Sequence, residues 1–135
     1  VIQQVPPAVS AIKVGGQPAY KLQRAGQAPT LRARSAHIYW LVLRRYDWPE
    51  LDFEMACGRG TYVRALIRDL GQALGTGGCL TALTRTQVGP FHLADAVTHQ
   101  TLSQAHDPLQ HVIDLDRARQ MLALDPPPIP NRPPP

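Results

Sequence analysis

The spacing of apolar residues changes several times along this chain, and each change predicts an element. At residues 61–74, Val63, Leu66, Ile67, Leu70, Ala73 and Leu74 recur at helical spacing and Gly75 stands where a helix stops, predicting a helix there. Over residues 51–57 the period falls to two. Leu51, Phe53, Met55 and Cys57 alternate with Asp52, Glu54 and Ala56, as in a strand. Residues 37–46, rich in aromatic and β-branched side chains, predict the strand before it, and Asp47, Trp48, Pro49 and Glu50 a hairpin-like connection. Residues 8–14 followed by Gly15 and Gly16 read as an extended segment closed by a turn, and residues 18–25 as a short helix with Pro18 near its start and Gly26 at its end. Residues 79–88 predict a further strand, and residues 94–102, 108–113 and 117–124 weaker helices. Residues 126–135 hold 7 of the 14 prolines, a composition of linkers and frayed ends. No internal repeat is evident.

A length of 135 residues fits one domain or a piece of a larger one, and 44% hydrophobic residues predict enough side chains for a core. The longest apolar run, residues 38–43, is far shorter than the roughly 20 residues of a membrane span, and no secretion signal opens at Val1. The chain is therefore expected to be soluble and cytoplasmic. Because Val1 is not an initiator methionine and Gln3 to Pro7 begin abruptly, upstream sequence is expected. Cys57 and Cys79 form no CxxC pattern and are expected to be small buried fillers.

Charge is unevenly spread. Residues 1–91 carry 11 basic groups against 5 acids, net +6, whereas residues 92–135 are net −2. The basic groups are 12 Arg and only Lys13 and Lys21. Arginine suits forked bonds to phosphate or carboxylate, which points to a polyanion; a genome rich in Arg codons explains the bias equally well.

Local chemistry is sharpest at Cys57-Gly58-Arg59-Gly60-Thr61-Tyr62-Val63-Arg64. A helix N-terminus disfavours cations, yet two arginines flank this one. Arg64 falls beside the apolar stripe, where it either pairs with a carboxylate or phosphate or snorkels over a buried stem. Gly58 and Gly60 permit close backbone approach. A second group sets Lys13 before the Gly15-Gly16 turn and Tyr20 after it. Tyr20 is either a half-buried aromatic with a wet hydroxyl or a stacking platform for an extruded base. His92, His99 and His106 recur every seven residues without an acidic partner at ligand spacing, so no metal site is expected. No nucleophile elbow, phosphate loop or dinucleotide fingerprint occurs.

Four blocks resemble, in order and spacing, the TruB family of tRNA pseudouridine synthases: Pro6 to Lys13; Ala19-Tyr20 with Arg24-Ala25-Gly26; Gly60 to Gly71; and Leu80 to Phe91. The likeness covers residues 3–97, with a weaker echo to 124. It implies an α/β (α+β) fold, a mixed and mainly antiparallel sheet with packed helices. It implies residues 1–97 as the C-terminal part of the catalytic domain, 98–125 as a helical extension and 126–135 as a disordered tail. The implied activity is isomerisation of the T-loop uridine of tRNA, position 55, to pseudouridine, by a monomer that recognises the T arm without cofactor, metal or membrane. By motif, Tyr20 takes the place of the tyrosine that stacks on the flipped uracil, and Arg64 that of the arginine paired with the catalytic aspartate. Tyr62 and Leu83 line the base pocket, and Lys13 and Arg85 support it.

The family's aspartate lies in a Gly-Thr-Leu-Asp-Pro-like stretch upstream of the Pro-Pro block, and these 135 residues contain no such stretch. The family's C-terminal RNA-binding appendage is not recognisable either. The chain alone is therefore expected to be inactive. The alternative reading is a non-catalytic RNA-binding module or a degenerate relative.

Overall fold

A computed structural model describes residues 1–123; the proline-rich stretch 126–135 and the last residue of the helix expected at 117–124 lie outside them. The chain divides into two compact units, Val1–Ala82 and a second from Leu83 onward.

In the first unit, β1 (Ile2–Gln4) is followed by β2 (Lys13–Val14) and β3 (Gln17–Pro18), which pair antiparallel across Gly15 and Gly16. Both glycines have positive φ, +57° and +84°, a backbone that other residues rarely adopt. The extended segment expected at 8–14 shrinks to β2, because Ala8 to Ala11 form bends. Helix α1 (Ala19–Arg24) then runs to Gly26, whose φ of +73° ends it. Strand β4 (Arg34–Ala36) returns to β1, with Ile2 opposite Ala36, Gln3 opposite Ser35 and Gln4 opposite Arg34.

Next, β5 (Ile38–Asp47) and β6 (Glu50–Cys57) form a long antiparallel ribbon turning at Trp48 and Pro49, as the alternation predicts. Helix α2 (Val63–Ala73) begins two residues later than its apolar spacing suggests. Thr61 is held in the preceding turn by its hydroxyl and amide, which both donate to the Gly58 carbonyl.

The core differs from its expectation. Among the described residues, the buried apolar side chains are four alanines, Ala19, Ala36, Ala56 and Ala65, and the largest fully buried side chain is Gln4. On α2 the buried positions are Ala65 and Gly71, while Leu70 is 39% and Leu74 66% exposed. The predicted stripe is right in period but only half covered. Gly71 is buried because the backbone of Gly77 and Gly78 packs directly against it, leaving no space for a Cβ.

The second unit carries β7 (Gln87–Val88) and β8 (Phe91–His92), paired across Gly89 and Pro90. Helices α3 (His99–Gln104) and α4 (Leu115–Ala123) follow, with short 3-10 turns at Leu93–Asp95 and Pro108–His111. The strand expected at 79–88 is reduced to β7: residues 79–86 pair with no strand among the described residues, and the Thr86 carbonyl accepts from the Leu93 N–H at 2.8 Å rather than from a neighbouring strand. Cys79 is exposed rather than buried, and Cys57 is half-buried. The fold is thus mixed α/β with wholly antiparallel pairing, in four two-stranded ribbons among the described residues. None of the described helices is long and apolar enough to cross a membrane.

Candidate functional site

Tyr62 and Arg64 sit where β1, β4 and the start of α2 meet. Tyr62 is the N-cap residue of α2, in extended conformation, and no side chain caps the helix there. In place of a cap, Gln4 reaches across from β1. The Tyr62 N–H donates to Gln4 Oε1 at 2.8 Å, and Gln4 Nε2 donates to the Tyr62 carbonyl at 3.1 Å. This is the paired bonding of an antiparallel strand, supplied by one side chain. Each bond contributes roughly 0.5–1.5 kcal/mol net, and losing the amide would strand buried groups at about 1–3 kcal/mol.

The same ladder places Arg34 opposite Gln4. Arg34 lies over the Tyr62 ring, 5.0 Å from its centroid, and donates from Nη2 to the Gly60 carbonyl at 2.8 Å. Backbone and ring of Tyr62 are therefore held by two neighbours in one strand pair.

Arg64 and Arg68 stand one turn apart on α2 and grip the loop after β1. Arg64 Nη2 donates to the Val9 carbonyl at 2.9 Å and Arg68 Nη2 to the Val5 carbonyl at 2.8 Å, one on either side of Pro6-Pro7. The prolines have no N–H of their own, so this loop depends on outside donors. A cation in the first turn of α2 opposes the helix dipole by roughly 0.3–1 kcal/mol. Among the described residues Arg64 has no ion pair, whereas Arg68 pairs with Asp69 at 2.6 Å. The Arg64 guanidinium keeps capacity for a carboxylate that the described residues do not supply.

Tyr20 meets this loop as well. Its N–H donates to the Ser10 carbonyl at 3.0 Å, one residue beyond the carbonyl that Arg64 holds. Its ring lies 5.6 Å from the Arg24 guanidinium. The Ser10 hydroxyl is buried with no hydrogen-bond partner among the described residues. Lys13 lines an open groove of about 410 Å³ with Arg32 and Arg34, between apolar walls that include Pro6, Ile12 and Leu31. Neither Lys13 nor Arg32 has an acidic partner among the described residues, which suits the groove to a polyanion.

Of the residues singled out in the sequence, the first unit therefore brings Arg64 and Tyr20 onto one loop, holds Tyr62 against β1 and β4, and sets Lys13 of β2 in the groove. Leu83 and Arg85 belong to the second unit, in the stretch without regular structure, and Leu83 is 60% exposed. Sequence reasoning passed over Gln4, Arg34 and Arg68. Gln4 had one signal: it shares the inward face of β1 with Ile2, where an amide needs partners. Among the described residues no group of three or more His, Cys, Asp or Glu is placed to hold a metal ion.

Comparison with known proteins bears on this arrangement. Residues 1–63 match the family model described as TruB family pseudouridylate synthase (N terminal domain), and residues 64–123 match tRNA pseudouridylate synthase B C-terminal domain. The division falls inside α2, a continuous helix, whereas the sequence reading set a boundary at residue 97 and saw no C-terminal appendage. The tRNA pseudouridine synthase B of Pseudomonas aeruginosa (strain UCBPP-PA14) is 50% identical over 105 residues, 78% of this chain and 34% of that protein. That of Nocardia farcinica (strain IFM 10152) is 50% identical over 121 residues, 87% of this chain and 39% of its own length. That of Thermobifida fusca (strain YX) is 47% identical over 111 residues, 76% and 38%. The chain thus spans about a third of the length of the curated relatives it matches. With two models of one family dividing residues 1–123 between them, and relatives of a single name at about half identity, the chain belongs to the TruB family.

Proposed function

We propose that this chain supplies the tyrosine–arginine side of the active site of a tRNA pseudouridine synthase, and that a carboxylate outside these 135 residues completes it. The observation that carries the reading is the Arg64 guanidinium, fixed to the Val9 carbonyl beside Tyr62 and without an ion pair among the described residues. A carboxylate set against it stays ionised and oriented, as a nucleophile or base requires. The substrate is the T-loop uridine of tRNA, position 55, reached through the T arm by a monomer in the cytoplasm.

In the reaction the bond from ribose C1′ to uracil N1 breaks, the base turns, C1′ bonds to C5, and the proton displaced from C5 is balanced by one gained at N1. Nothing else is consumed. Tyr62 is the proposed wall of the base pocket, and Tyr20 the proposed stacking platform; Arg24 over its ring must then share or yield a face. Lys13 supports the site, and the cations of the groove receive backbone phosphates, which position RNA without identifying the base. Residues 1–97 then form the catalytic portion and 98–125 an extension.

The test is tritium release from tRNA labelled at uracil C5. A chimera in which this chain replaces the matching stretch of the Pseudomonas aeruginosa relative is expected to release tritium, and the 135-residue chain alone is not. A chimera without turnover overturns the reading; turnover by the chain alone overturns its division between two segments. The unpaired groove cations favour a second reading, an RNA-binding module without chemistry. It expects salt-sensitive tRNA binding and no tritium release from either protein.

A further inference from the structure

Gln4 is the largest fully buried side chain among the described residues, yet it is polar and its amide is given wholly to the backbone of one residue, Tyr62. A buried amide has a cost that an apolar side chain of similar size avoids, so core filling alone does not explain it. What the amide achieves is local. It fixes the N–H and carbonyl of the residue that begins α2, at a helix start with neither a side-chain cap nor an acidic residue in its first turn. Two residues on, Arg64 leaves the same turn. The opposing strand position, Arg34, holds the ring of the same tyrosine.

From this convergence, and resting on the reading of the site just given, we propose that Gln4 is a positioning residue. Its amide acts as a one-residue strand partner that sets the Tyr62 backbone, and through the first turn of α2 the aim of Arg64, while touching no substrate itself. Misplacement of about 1 Å in such a constellation lowers the chemical step far more than it lowers binding. RNA affinity comes from many dispersed phosphate contacts and is left nearly unchanged.

Gln4→Met keeps the length and removes both bonds. In the chimera it is expected to lower kcat for pseudouridine formation at least tenfold while KM for tRNA stays within about twofold. In the 135-residue chain it is expected to speed hydrogen exchange at the Tyr62 amide at least tenfold. Gln4→Glu supplies a rescue. Its ionised carboxylate still accepts from the Tyr62 N–H but repels the Tyr62 carbonyl and draws on Arg34; its protonated form donates to that carbonyl and restores both bonds. Burial at position 4 disfavours the ionised form and Arg34, opposite it on β4, favours that form, while Arg64 and Arg68 of α2 are committed to the Val9 and Val5 carbonyls. The kcat of Gln4→Glu relative to the unsubstituted chimera at the same pH is therefore expected to rise as pH falls, and that of Gln4→Met to stay flat. Unchanged kcat in Gln4→Met, equal loss in kcat and affinity, or unaltered Tyr62 exchange overturns the proposal. An unsubstituted chimera without turnover overturns the site reading and this role with it, leaving the exchange result as a property of the fold.

Discussion

Two antiparallel strand pairs in the first unit are built on opposite principles. The β1–β4 pair has three residue pairs and almost no length, yet Gln4, Arg34, Arg64 and Arg68 tie it, with the loop that follows β1, to residues 26 to 63 positions away in sequence. The β5–β6 ribbon has eight residue pairs, and its side-chain ion pairs run between its own two strands; Leu41 opposite Met55 and Leu43 opposite Phe53 occupy one face, Trp40 opposite Ala56 and Val42 opposite Glu54 the other. Its Leu41 and Leu43 are 48% and 55% exposed. Apolar side chains on both faces are the pattern of a strand covered on two sides. The short pair carries the proposed site because its polar contacts are non-local. The long one forms because its alternation is local, though its register shifts between Ile38 and Trp40 and between Leu43 and Arg45, and a ladder alone buries little.

The largest expected effect tests the anchored pair. Arg64→Lys in the chimera keeps the charge but loses the planar fork that holds the Val9 carbonyl and has room for a carboxylate. A loss of about 10²-fold or more in kcat is expected, the scale for removing one preorganised charged or hydrogen-bonding group. Near-normal kcat would detach Arg64 from the chemistry and leave it a loop clamp like Arg68.

Next comes the helix that bears both arginines. Gly71→Ala in the 135-residue chain puts a Cβ into the backbone of Gly77 and Gly78, and no side chain is there to give way. Destabilisation of about 1–3 kcal/mol is expected, read as a lower midpoint in thermal or urea unfolding. Gly75→Ala sharpens the assignment: it meets no atom but has a φ of +69°, so its smaller cost is conformational rather than steric.

How far the sequence discloses this division follows from the same physics. The β5–β6 ribbon, α1 and α2 were legible because period and glycine stops are local signals, and their ends fall within two residues of expectation. The strand expected at 79–88 failed because β-branched residues indicate only that a strand is tolerated; the neighbour that would saturate its backbone is not encoded nearby. Through signals that are likewise local, Tyr62 was singled out by motif, and Arg64 by motif and helix-end chemistry. Gln4 and Arg34 were not, since their meaning lies in the register that sets them opposite each other and aims both at a residue 58 and 28 positions away.

The uncovered ribbon has a consequence of its own. Three or more strands, or a helix laid across, are needed for an independent sheet, and exposed apolar strands promote association. The 135-residue chain is expected to elute larger than its mass at tens of micromolar. Leu41→Lys with Leu43→Lys is expected to restore monomeric elution while shifting the unfolding free energy of the monomer by only about 0.5 kcal/mol, since both positions are already exposed. Association that persists in the double variant would move the sticky surface away from this face.

The smallest effect is expected at the ribbon's turn, where ion pairs are most numerous. Arg45 meets Glu50 at 2.6 Å, Asp47 at 3.8 Å and Asp52 at 4.0 Å, but it is 53% exposed and its partners 66–78%. Charges so wet interact through water and pay side-chain entropy to stay in register, so such pairs contribute about 0.2–1 kcal/mol at most. Arg45→Gln is therefore expected to shift urea unfolding by less than about 0.5 kcal/mol, and that difference to vanish near 1 M salt, where the screening length falls to roughly 3 Å. A larger, salt-resistant loss would mean that the turn carries the ribbon's stability. The contrast between a pair fixed by distant polar contacts and one fixed by its own ladder would then have to be drawn elsewhere.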